Sequence, residues 1–398
     1  MEPIPETAPP PRPVVDEILE LRIEKLVAGG EGLGRAHGVP VFVPFAAPGD
    51  QLSVRIVERR REFARAEIVE ILRPGPGRRE PPCPVFGRCG GCDLQHLIEP
   101  LQLEWKVRAA LETLERISGL RELPPPEVVA GAAWGYRMRT QLQVDRSSGG
   151  ESSLGYFERG THSVVPIARC PILVPELNAI LPAIGEGLRQ HAARRLDLAA
   201  GESGVSCSPA LPEVPHGELT TTVRGRRLAF DARTFFQGHR ELVPSLVERA
   251  VGEGTGDEAF DLYAGVGLFT LELAQRFRRV TAVESDANAI RYLRINARRN
   301  KLSAVEVVGR NVDDWIRQLP HAVDRVVVDP PRSGLGLVVR RVLADRRPRR
   351  LTYVSCHTAT LARDLRDLSD AFVLRSLSLL DLFPQTGHLE AVVQLDAR

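Results

Sequence analysis

The stretch EAFDLYAGVGLFTLELAQ, residues 258–275, decides the fold of the C-terminal part of the chain. An apolar run, a turn containing Gly265 and Gly267, and a second apolar run at helical spacing predict a strand, a turn and a helix. Strand-helix alternation continues from Phe235 to the C-terminus and is typical of a parallel α/β sheet. Glycines in the turn let the backbone approach a ligand, and the following helix offers free amides.

The next strand, RVTAVESD (279–286), ends in the acidic residue Glu284. An acid at the end of the second strand of such a sheet is suited to hold two ribose hydroxyls. The spacing D-x-x-x-G-x-G from Asp261 to Gly267 differs from the dinucleotide fingerprint and favours a nucleoside without a pyrophosphate. S-adenosylmethionine is therefore the predicted ligand.

Two further apolar strands end in reactive side chains. DRVVVDPPRSG (324–334) runs into Asp329, and YVSCHTATLARDL (353–365) places Cys356 just before a helix. Ligands of open α/β sheets bind outside the carboxyl ends of the strands, so the thiol and the carboxylate are expected to share one pocket. The alternative is that Cys356 is a small apolar core residue, and position alone does not separate the two interpretations.

Composition bounds the class of protein. The chain has 398 residues, 43% hydrophobic and 26% charged, enough for two or three domains. A net charge of +2 does not by itself indicate nucleic-acid binding. Only Lys25, Lys106 and Lys301 among the 53 basic residues are lysine. Arginine forks onto phosphate and stacks on bases, although a biased genome would produce the same excess.

The first residues, MEPIPETAPPPRP, are rich in proline and lack the apolar segment of a signal peptide. No apolar run has the roughly 18 residues of a membrane span. We therefore expect a cytoplasmic protein with no membrane segment and a disordered tail over residues 1–14.

Residues 15–76 alternate short β-type runs with glycine-rich turns, which predicts a small OB-like barrel. The predicted strands span 18–26, 39–43, 51–57 and 64–71, with turns at Gly29, Gly30, Gly32, Gly34 and Gly49. The arginines at 59–61 form a basic patch suited to RNA, or a solvated charge run.

Three cysteines lie close together in CPVFGRCGGC, at Cys83, Cys89 and Cys92. The loop has too little apolar mass to bury them, and a reducing compartment disfavours disulfides, so a metal or cluster is favoured. The fourth ligand is expected to be Cys170 in ARCP, with Cys207 as the alternative. Spacing does not separate zinc from iron–sulfur.

Residues 99–120 carry apolar side chains at helical spacing and predict an amphipathic helix. Segments from Gly135 and from Ser153 alternate like antiparallel strands, and the sheet is expected to continue to about Phe230. Arginines on this sheet are candidates for phosphate contacts or for salt bridges, and they are Arg137, Arg139 and Arg159.

Six motifs occur in one order along the chain: CPVFGRCGGC with the later ARCP, TFFQ, DLYAGVG, DPPRSG, YVSC followed by TLARDL, and DLFPQTGHLEAVV. With them the chain resembles the S-adenosylmethionine-dependent RNA uracil-5 methyltransferases, in the form with a TRAM barrel and an iron–sulfur cluster. The resemblance runs from about residue 18 to the C-terminus and is nearest to bacterial enzymes acting on 23S rRNA.

The resemblance implies a multidomain fold. Residues 15–76 would form the TRAM/OB-like β-barrel, residues 77–232 a central α+β domain with the cluster, and residues 233–398 a Rossmann-like class I methyltransferase domain. The helix at 99–120 would pack on the catalytic domain.

The resemblance also implies site residues. A four-iron, four-sulfur (4Fe–4S) cluster would lie on Cys83, Cys89, Cys92 and Cys170. The cofactor contacts would be Gln237, Tyr263, Glu284, Asn311 and Asp329, besides Gly265 from the turn. Cys356 would be the nucleophile and Glu390 the base. The chain has His357 and Thr358 where the family usually has Asn-Pro.

Carbon 5 of uracil is too weak a nucleophile to take a methyl group unaided. A thiolate that adds to carbon 6 activates it by covalent catalysis, and the helix beginning near Thr358 would favour the thiolate. Glu390 would then accept the carbon 5 proton. The uridine would be flipped out of any helix, with Phe235 and Phe236 as candidates for stacking.

The predicted function is therefore methyl transfer to carbon 5 of a uridine in RNA, most directly 23S rRNA, with no obligate protein partner. Three alternatives remain open from the sequence: a tRNA uracil-5 methyltransferase, a methyltransferase acting on an amino nitrogen, and an RNA-binding or assembly protein with impaired turnover.

Overall fold

The computed structural model describes residues 12–120, 122–146, 152–189 and 191–398. Residues 1–11 of the predicted tail lie outside this range. The chain forms two units, the first made of Met1–Gly87, Cys92–Ala109 and Gln385–Gly387, the second of Arg88–Gly91, Ala110–Pro384 and His388–Arg398. The domain boundaries near residues 76 and 232 stay predictions.

The first unit contains a closed five-stranded barrel in the order β1-β2-β3-β5-β4. Its strands are β1 (Ile18–Leu26), β2 (Gly32–Ala36), β3 (Val39–Val43), β4 (Gln51–Arg59) and β5 (Ala64–Arg73). Alternate side chains of these strands fill the interior, among them Ile23, Val41 and Val54. The predicted barrel is confirmed, because strict alternation of apolar residues sends one face of each strand inward.

One strand of the barrel was not expected. Gly32 and Gly34, predicted to be turn residues, lie within β2. A Cβ at Gly34 would lie 2.5 Å from the Arg22 carbonyl oxygen and 2.8 Å from Leu21 Cγ. Glycine is therefore required at this position for close strand approach and not for a turn, so the turn prediction for these two residues is wrong.

A long helix and two small antiparallel sheets follow. Helix α1 (Glu99–Ser118) is divided between the two units after Ala109, and it precedes strand β6 (Glu127–Val129). The five-stranded sheet has the order β11-β10-β7-β8-β9. Its elements in chain order are β7 (Arg139–Arg146), β8 (Ser152–Phe157), β9 (Val164–Pro166), α2 (Pro175–Ala179), α3 (Leu181–Gly187), β10 (Arg195–Gly201) and β11 (Gly204–Ser208).

The hairpin β12 (Leu219–Val223) and β13 (Arg226–Phe230) forms a separate two-stranded sheet. The antiparallel prediction up to Phe230 is thus confirmed for strand type, whereas the prediction of one continuous sheet is wrong. Sequence alternation reports which face of a strand is buried but not which strand is its neighbour.

The C-terminal part forms an eight-stranded sheet in the order β16-β15-β14-β17-β18-β20-β19-β6. Its further elements are α4 (Val243–Val251), β14 (Gly256–Leu262), α5 (Thr270–Leu273), β15 (Phe277–Glu284), α6 (Ala287–Arg299), β16 (Val305–Gly309), α7 (Val312–Trp315), β17 (Arg325–Val328), α8 (Leu337–Arg346), β18 (Arg350–Ser355), α9 (Thr358–Leu368), β19 (Phe372–Leu380) and β20 (Glu390–Ala397).

Strands β14 to β18 are parallel to one another, whereas β20 runs antiparallel to β18. The carboxyl ends of the parallel strands and the start of β20 therefore meet at one edge of the sheet. Strand β6, far away in sequence, completes the other side by pairing with β19. None of the helices within the described residues combines the length and apolarity that crossing a membrane requires.

Candidate active site

The pairing of β18 with β20 brings the predicted nucleophile and base together. Ser355, the last residue of β18, pairs with Ala391, so Cys356 follows directly opposite Glu390. Val328 of the neighbouring β17 pairs with Tyr353, which brings Asp329 to the same edge. One thiol and two carboxylates therefore share the carboxyl edge of the sheet.

The thiol of Cys356 is half-buried and free. Burial, and then the negative charge of Glu390, raise its pKa to about 11, while the charge and a hydrogen bond of Arg332 oppose this shift. In the protein without RNA, burial thus favours the protonated thiol. The expected effect of the α9 N-terminus on the thiolate stays a prediction.

The carboxyls at this edge also favour their protonated forms. Burial and repulsion from Asp261 raise the pKa of Asp329 to about 7, and Gln237 Nε2 donates to Asp329 Oδ2 at 3.3 Å. Burial and repulsion from Asp329 raise the pKa of Glu390 well above its usual value, while Arg332 lowers it. Carboxyls with strongly raised pKa values are typical of sites that move protons.

Arg332 is the residue at this edge that the sequence analysis missed. It follows the D-P-P stretch and interacts with both Cys356 and Glu390, lowering the pKa of each. Its position four residues after the end of β17 was the available signal, because a cation there faces the same crevice as Asp329.

Hydrogen bonds of its own side chains hold the turn between Cys356 and α9. His357 is the N-cap of α9, where its Nδ1 accepts a hydrogen bond from the Thr360 amide at 3.3 Å. The Ser355 hydroxyl accepts from the His357 amide at 3.2 Å. Histidine thus supplies in this chain the cap acceptor that the first turn of a helix requires.

Glu284 organises the glycine turn. One of its carboxylate oxygens accepts from the Gly265 amide at 2.8 Å, and the other accepts from the amides of Ser285 at 2.6 Å and Asp286 at 2.8 Å. Gly267, at φ +95°, lets the turn lie against Leu293, where a Cβ would come within 2.4 Å of Cδ1. The carboxylate is therefore held in one orientation at the end of β15.

A cavity of about 550 Å³ lies beside this turn. Tyr263 and Asn311, both predicted cofactor contacts, line it, together with Ser285, Asp313, Pro331 and residues 333–337. Asn311 caps α7 by accepting from the Asp313 amide at 2.9 Å. The volume suits a nucleoside-sized ligand. Ser285 and Asp313 were not predicted, since polar loop residues carry no periodic signal.

The segment before the sheet presents one exposed aromatic ring. Phe236 is buried and stacks on Phe230 with ring centroids 4.4 Å apart, whereas Phe235 is 62% exposed. The Arg139 guanidinium lies 5.8 Å from the Phe235 ring centroid. Of the two predicted stacking candidates, only Phe235 is free to meet a base.

The cysteines predicted as cluster ligands are divided between the units. Cys83 and Cys92 belong to the first, Cys89 and Cys170 to the second. Within the second unit, the backbone of Cys89 pairs with that of Glu158, just after β8, in an isolated antiparallel β-bridge. The Cys170 side chain is hydrogen-bonded to Tyr156 of that strand.

In the part of the chain that the structure describes, no group of three or more His, Cys, Asp or Glu side chains is arranged to hold a metal ion. The alternative ligand Cys207 is buried, and its Sγ donates to the Pro209 carbonyl at 3.4 Å. The ligand set therefore stays a prediction.

A parallel sheet that ends in an antiparallel strand pair, with a glycine turn, an acid and a nucleoside-sized cavity at its carboxyl edge, defines a class I methyltransferase. Residues 218–398 match the family described as tRNA (Uracil-5-)-methyltransferase, and residues 15–69 match the TRAM domain.

The chain is 35% identical over 426 residues to the 23S rRNA (uracil(1939)-C(5))-methyltransferase RlmD of Klebsiella pneumoniae, with 96% of each protein covered. It is 31% identical over 443 residues to an uncharacterized RNA methyltransferase of Synechocystis, again with 96% of each covered. The crystal structure of the Pyrococcus abyssi tRNA (uracil-54, C5)-methyltransferase in complex with S-adenosyl-L-homocysteine superposes with a TM-score of 0.73 at 27% identity, over 95% of this chain and 100% of that one.

The chain therefore belongs to the family of S-adenosylmethionine-dependent RNA uracil-5 methyltransferases, with an N-terminal TRAM barrel. The resemblance to this family seen in its six motifs is confirmed, whereas the iron–sulfur cluster stays a prediction.

Proposed function

We propose that this protein methylates carbon 5 of a uridine in RNA through a covalent bond between Cys356 and the uracil ring. The observation that carries the proposal is the strand register that sets Cys356 opposite Glu390. A nucleophile that bonds to carbon 6 and a base that serves carbon 5 must approach adjacent ring atoms, and neighbouring strand ends meet that requirement.

The first step requires the thiolate of Cys356. Arg332 stabilises this anion, because its charge and hydrogen bond lower the pKa of the thiol. The proton leaves to water on the half-exposed side of the residue. The sulfur then forms a bond to carbon 6, and the electrons of the carbon 5–carbon 6 double bond move into the ring as an enolate.

The nucleophilic carbon 5 would then bond to the methyl group that S-adenosylmethionine supplies, while the methyl–sulfonium bond breaks and S-adenosylhomocysteine is the leaving group. Glu390 then accepts the proton from carbon 5, the double bond re-forms and the carbon–sulfur bond to Cys356 breaks. The net proton released is the one from carbon 5, because the thiol proton returns. A positively charged cofactor near Asp329 and Glu390 lowers the pKa of both carboxyls, which readies Glu390 as a base.

The residues proposed to hold the methyl donor surround the cavity and the glycine turn. The Glu284 carboxylate, already fixed by three backbone amides, is suited to the ribose hydroxyls. Tyr263 and Asn311 line the space for the base. Asp329, which accepts a hydrogen bond from Gln237, would offer its carboxylate to the positive end of the ligand.

RNA is the proposed partner, and 23S rRNA is the proposed substrate. Relatives that match nearly the full chain at 33–35% identity carry that substrate in their names, whereas the structural relative named for tRNA is 27% identical. The exposed Phe235, with Arg139 beside it, supports stacking on an unpaired base.

The test uses RNA that contains 5-fluorouracil. Fluorine cannot leave as a cation, so the reaction stops at the covalent stage and a protein–RNA band survives denaturing gels. We expect the adduct with wild-type protein plus S-adenosylmethionine, and none with Cys356→Ala. Cys207→Ala, which removes a buried cysteine away from the site, is the matched control and keeps the adduct.

Running 23S rRNA and tRNA transcripts in parallel separates the two substrates. Absence of an adduct on every RNA would refute the enzyme function and favour an RNA-binding or assembly role. Methyl transfer to ordinary RNA that continues in Cys356→Ala without any adduct would point to chemistry on an amino nitrogen. An adduct that persists in Cys356→Ala would point to another nucleophilic residue.

We propose separately that Cys83, Cys89, Cys92 and Cys170 hold a 4Fe–4S cluster. The support is their spacing and the approach of Cys89 and Cys170 to one strand of the second unit. No catalytic step is derived through the cluster. Anaerobic purification should yield about four iron and four sulfide per chain, in line with four thiolate ligands, and alanine at any one cysteine should lower both. Zinc without sulfide would refute the proposal.

A further inference from the structure

Asp364 is a buried carboxylate that the proposed reaction does not use. It lies in α9 with no exposed surface and accepts hydrogen bonds from four residues. These are the Tyr353 hydroxyl at 2.7 Å, the Leu335 amide at 2.8 Å, Arg340 Nη1 at 2.7 Å and Arg363 Nε at 2.8 Å. The donors come from β18, from the loop after β17, from α8 and from α9 itself.

The loop of residues 329–336 carries Asp329 and Arg332, and it is tied to α9 at successive points. The Arg363 guanidinium donates to the Ser333 carbonyl at 2.9 Å, and the Thr360 hydroxyl donates to the Arg332 carbonyl at 3.2 Å. Arg340 Nη1 of α8 donates to the Leu335 carbonyl at 2.7 Å, which ties the same loop to α8. Since α9 starts beside Cys356, the bonds from Arg363 and Thr360 join the loop with the acid and the cation to the element that presents the thiol.

Gly334 shows how closely the loop lies on Asp364. Its φ is +76°, and a Cβ there would stand 2.6 Å from Asp364 Oδ2, 2.8 Å from Arg363 Nη2 and 3.2 Å from Thr360 Cβ. Any side chain at this position would push the loop away from α9. The contact between the loop and α9 therefore depends on the Asp364 carboxylate in the helix and on the absence of a side chain at Gly334 in the loop.

We propose that Asp364 is a positioning residue that holds the loop 329–336 against α9 and thereby fixes Arg332 and Asp329 relative to Cys356. The inference rests on the proposed function, because it assigns these three groups to one reaction. Asp364 does not touch the reacting atoms. It acts through the loop, as preorganised sites require of the residues behind the reacting groups.

The alternative is that Asp364 only stabilises the fold. It neutralises the side chains of Arg340, 11% exposed, and Arg363, 37% exposed, and a buried cation without its anion is costly. Loss of stability alone would lower the melting temperature but leave the folded molecules with normal kinetics and a normal thiol. A positioning role and a purely stabilising role of Asp364 thus predict different results.

The experiment compares Asp364→Asn with wild type in four measurements: melting temperature, S-adenosylmethionine affinity, single-turnover methylation of RNA, and the pH profile of Cys356 alkylation by iodoacetamide. The charged groups that act on this thiol are Glu390, Arg332 and Asp329. If the loop is released, Arg332 withdraws and the alkylation profile moves to higher pH. A misplacement near 1 Å is expected to slow methyl transfer by about 10²-fold.

Asp367→Asn is the matched control. Its carboxylate, 35% exposed, forms an ion pair with the same Arg340, whose Nε lies 3.0 Å from Oδ2, whereas the bonds to the loop described above involve Asp364 and not Asp367. We expect this variant to have the methylation kinetics and the pH profile of Cys356 alkylation of the wild type. Gly334→Ala provides a second test that leaves Asp364 in place. It should reproduce both the slower transfer and the shifted profile, which keeps the proposal testable if Asp364→Asn does not fold.

Normal turnover and a normal thiol profile in folded Asp364→Asn or in Gly334→Ala would overturn the proposal. The alkylation profile needs no RNA and no turnover. An inactive wild-type protein would therefore refute the proposed function, while the comparison of thiol profiles would still decide whether Asp364 positions the loop.

Discussion

Replacement of Glu390 by glutamine isolates the proton-transfer step. The side chain is 3% exposed and begins β20, where its backbone pairs with Leu380. Glutamine has the same shape, and burial already favours the uncharged form of the carboxyl. The free energy of unfolding is therefore expected to change by less than about 1 kcal/mol. Only the ability to accept a proton is lost.

The magnitude follows from the role of the base. Loss of a positioned general base costs about 10²–10⁴ in rate, which corresponds to roughly 2.7–5.5 kcal/mol of transition-state stabilisation. Since Cys356 and its attack on carbon 6 are untouched, the methylated adduct should form and then accumulate. The expected result with ordinary uridine RNA is a slow release of product and a stable protein–RNA band.

The assay uses S-adenosylmethionine labelled in the methyl group and follows radioactivity in the protein–RNA band of a denaturing gel. Wild type should show little labelled band and rapid turnover. Glu306→Gln, an exposed glutamate of β16, is the control and should behave as wild type. A Glu390→Gln protein that turns over within tenfold of wild type and accumulates no labelled adduct would refute the assignment of the base.

Three further predictions concern the thiol, the acid and the glycine turn. The rate of Cys356 alkylation in the RNA-free protein should rise about tenfold per pH unit and reach half its maximum near pH 11, because burial raises the pKa of the thiol. A half-maximal rate near the ordinary thiol pKa of about 8.5 would contradict the site description. Glu284→Gln should weaken S-adenosylmethionine binding by about 10–100-fold in calorimetry, since hydrogen bonds to a charged group contribute about 1.5–3 kcal/mol; unchanged affinity would exclude it as a ribose ligand. Gly267→Ala should lower the free energy of unfolding, measured in urea, by about 2–4 kcal/mol, because φ is +95° and the new Cβ meets Leu293. The control Gly185→Ala lies in helix α3 with open space around it, and it should leave the free energy of unfolding unchanged or raise it by up to about 1 kcal/mol. Equal effects of the two substitutions would refute the steric argument.

Local patterns predicted the local structure well. Strands β1 and β3 begin and end where alternation of apolar residues predicted them, and α9 begins at Thr358 as expected. Helix α1 ends two residues before the predicted end at 120. These elements are encoded by periodicity and by turn residues, which act over a few neighbours and are visible in a single sequence.

Pairing between distant strands was not visible in the sequence. Strand β6 carries no local signal of its place in the large sheet, where it pairs with β19 about 250 residues later in the chain. The two antiparallel sheets, predicted to be one, are separate, and Gly32 and Gly34, predicted in a turn, lie in β2. A residue pattern states that a strand has a buried face, but its partner is decided by the packing of the whole molecule.

The amino-acid sequence by itself determined the class of fold, the motifs and the family, because each depends on residue types at short, fixed spacings. Only the tertiary structure decided that Cys356 and Glu390 meet across antiparallel strands, that Arg332 joins them and that Asp364 ties their loops together. It also decided that the pKa of the free thiol is raised, since the pKa of a group depends on burial and on charges brought near by folding. Proximity in space comes from strand order and register, which no local stretch of the chain contains.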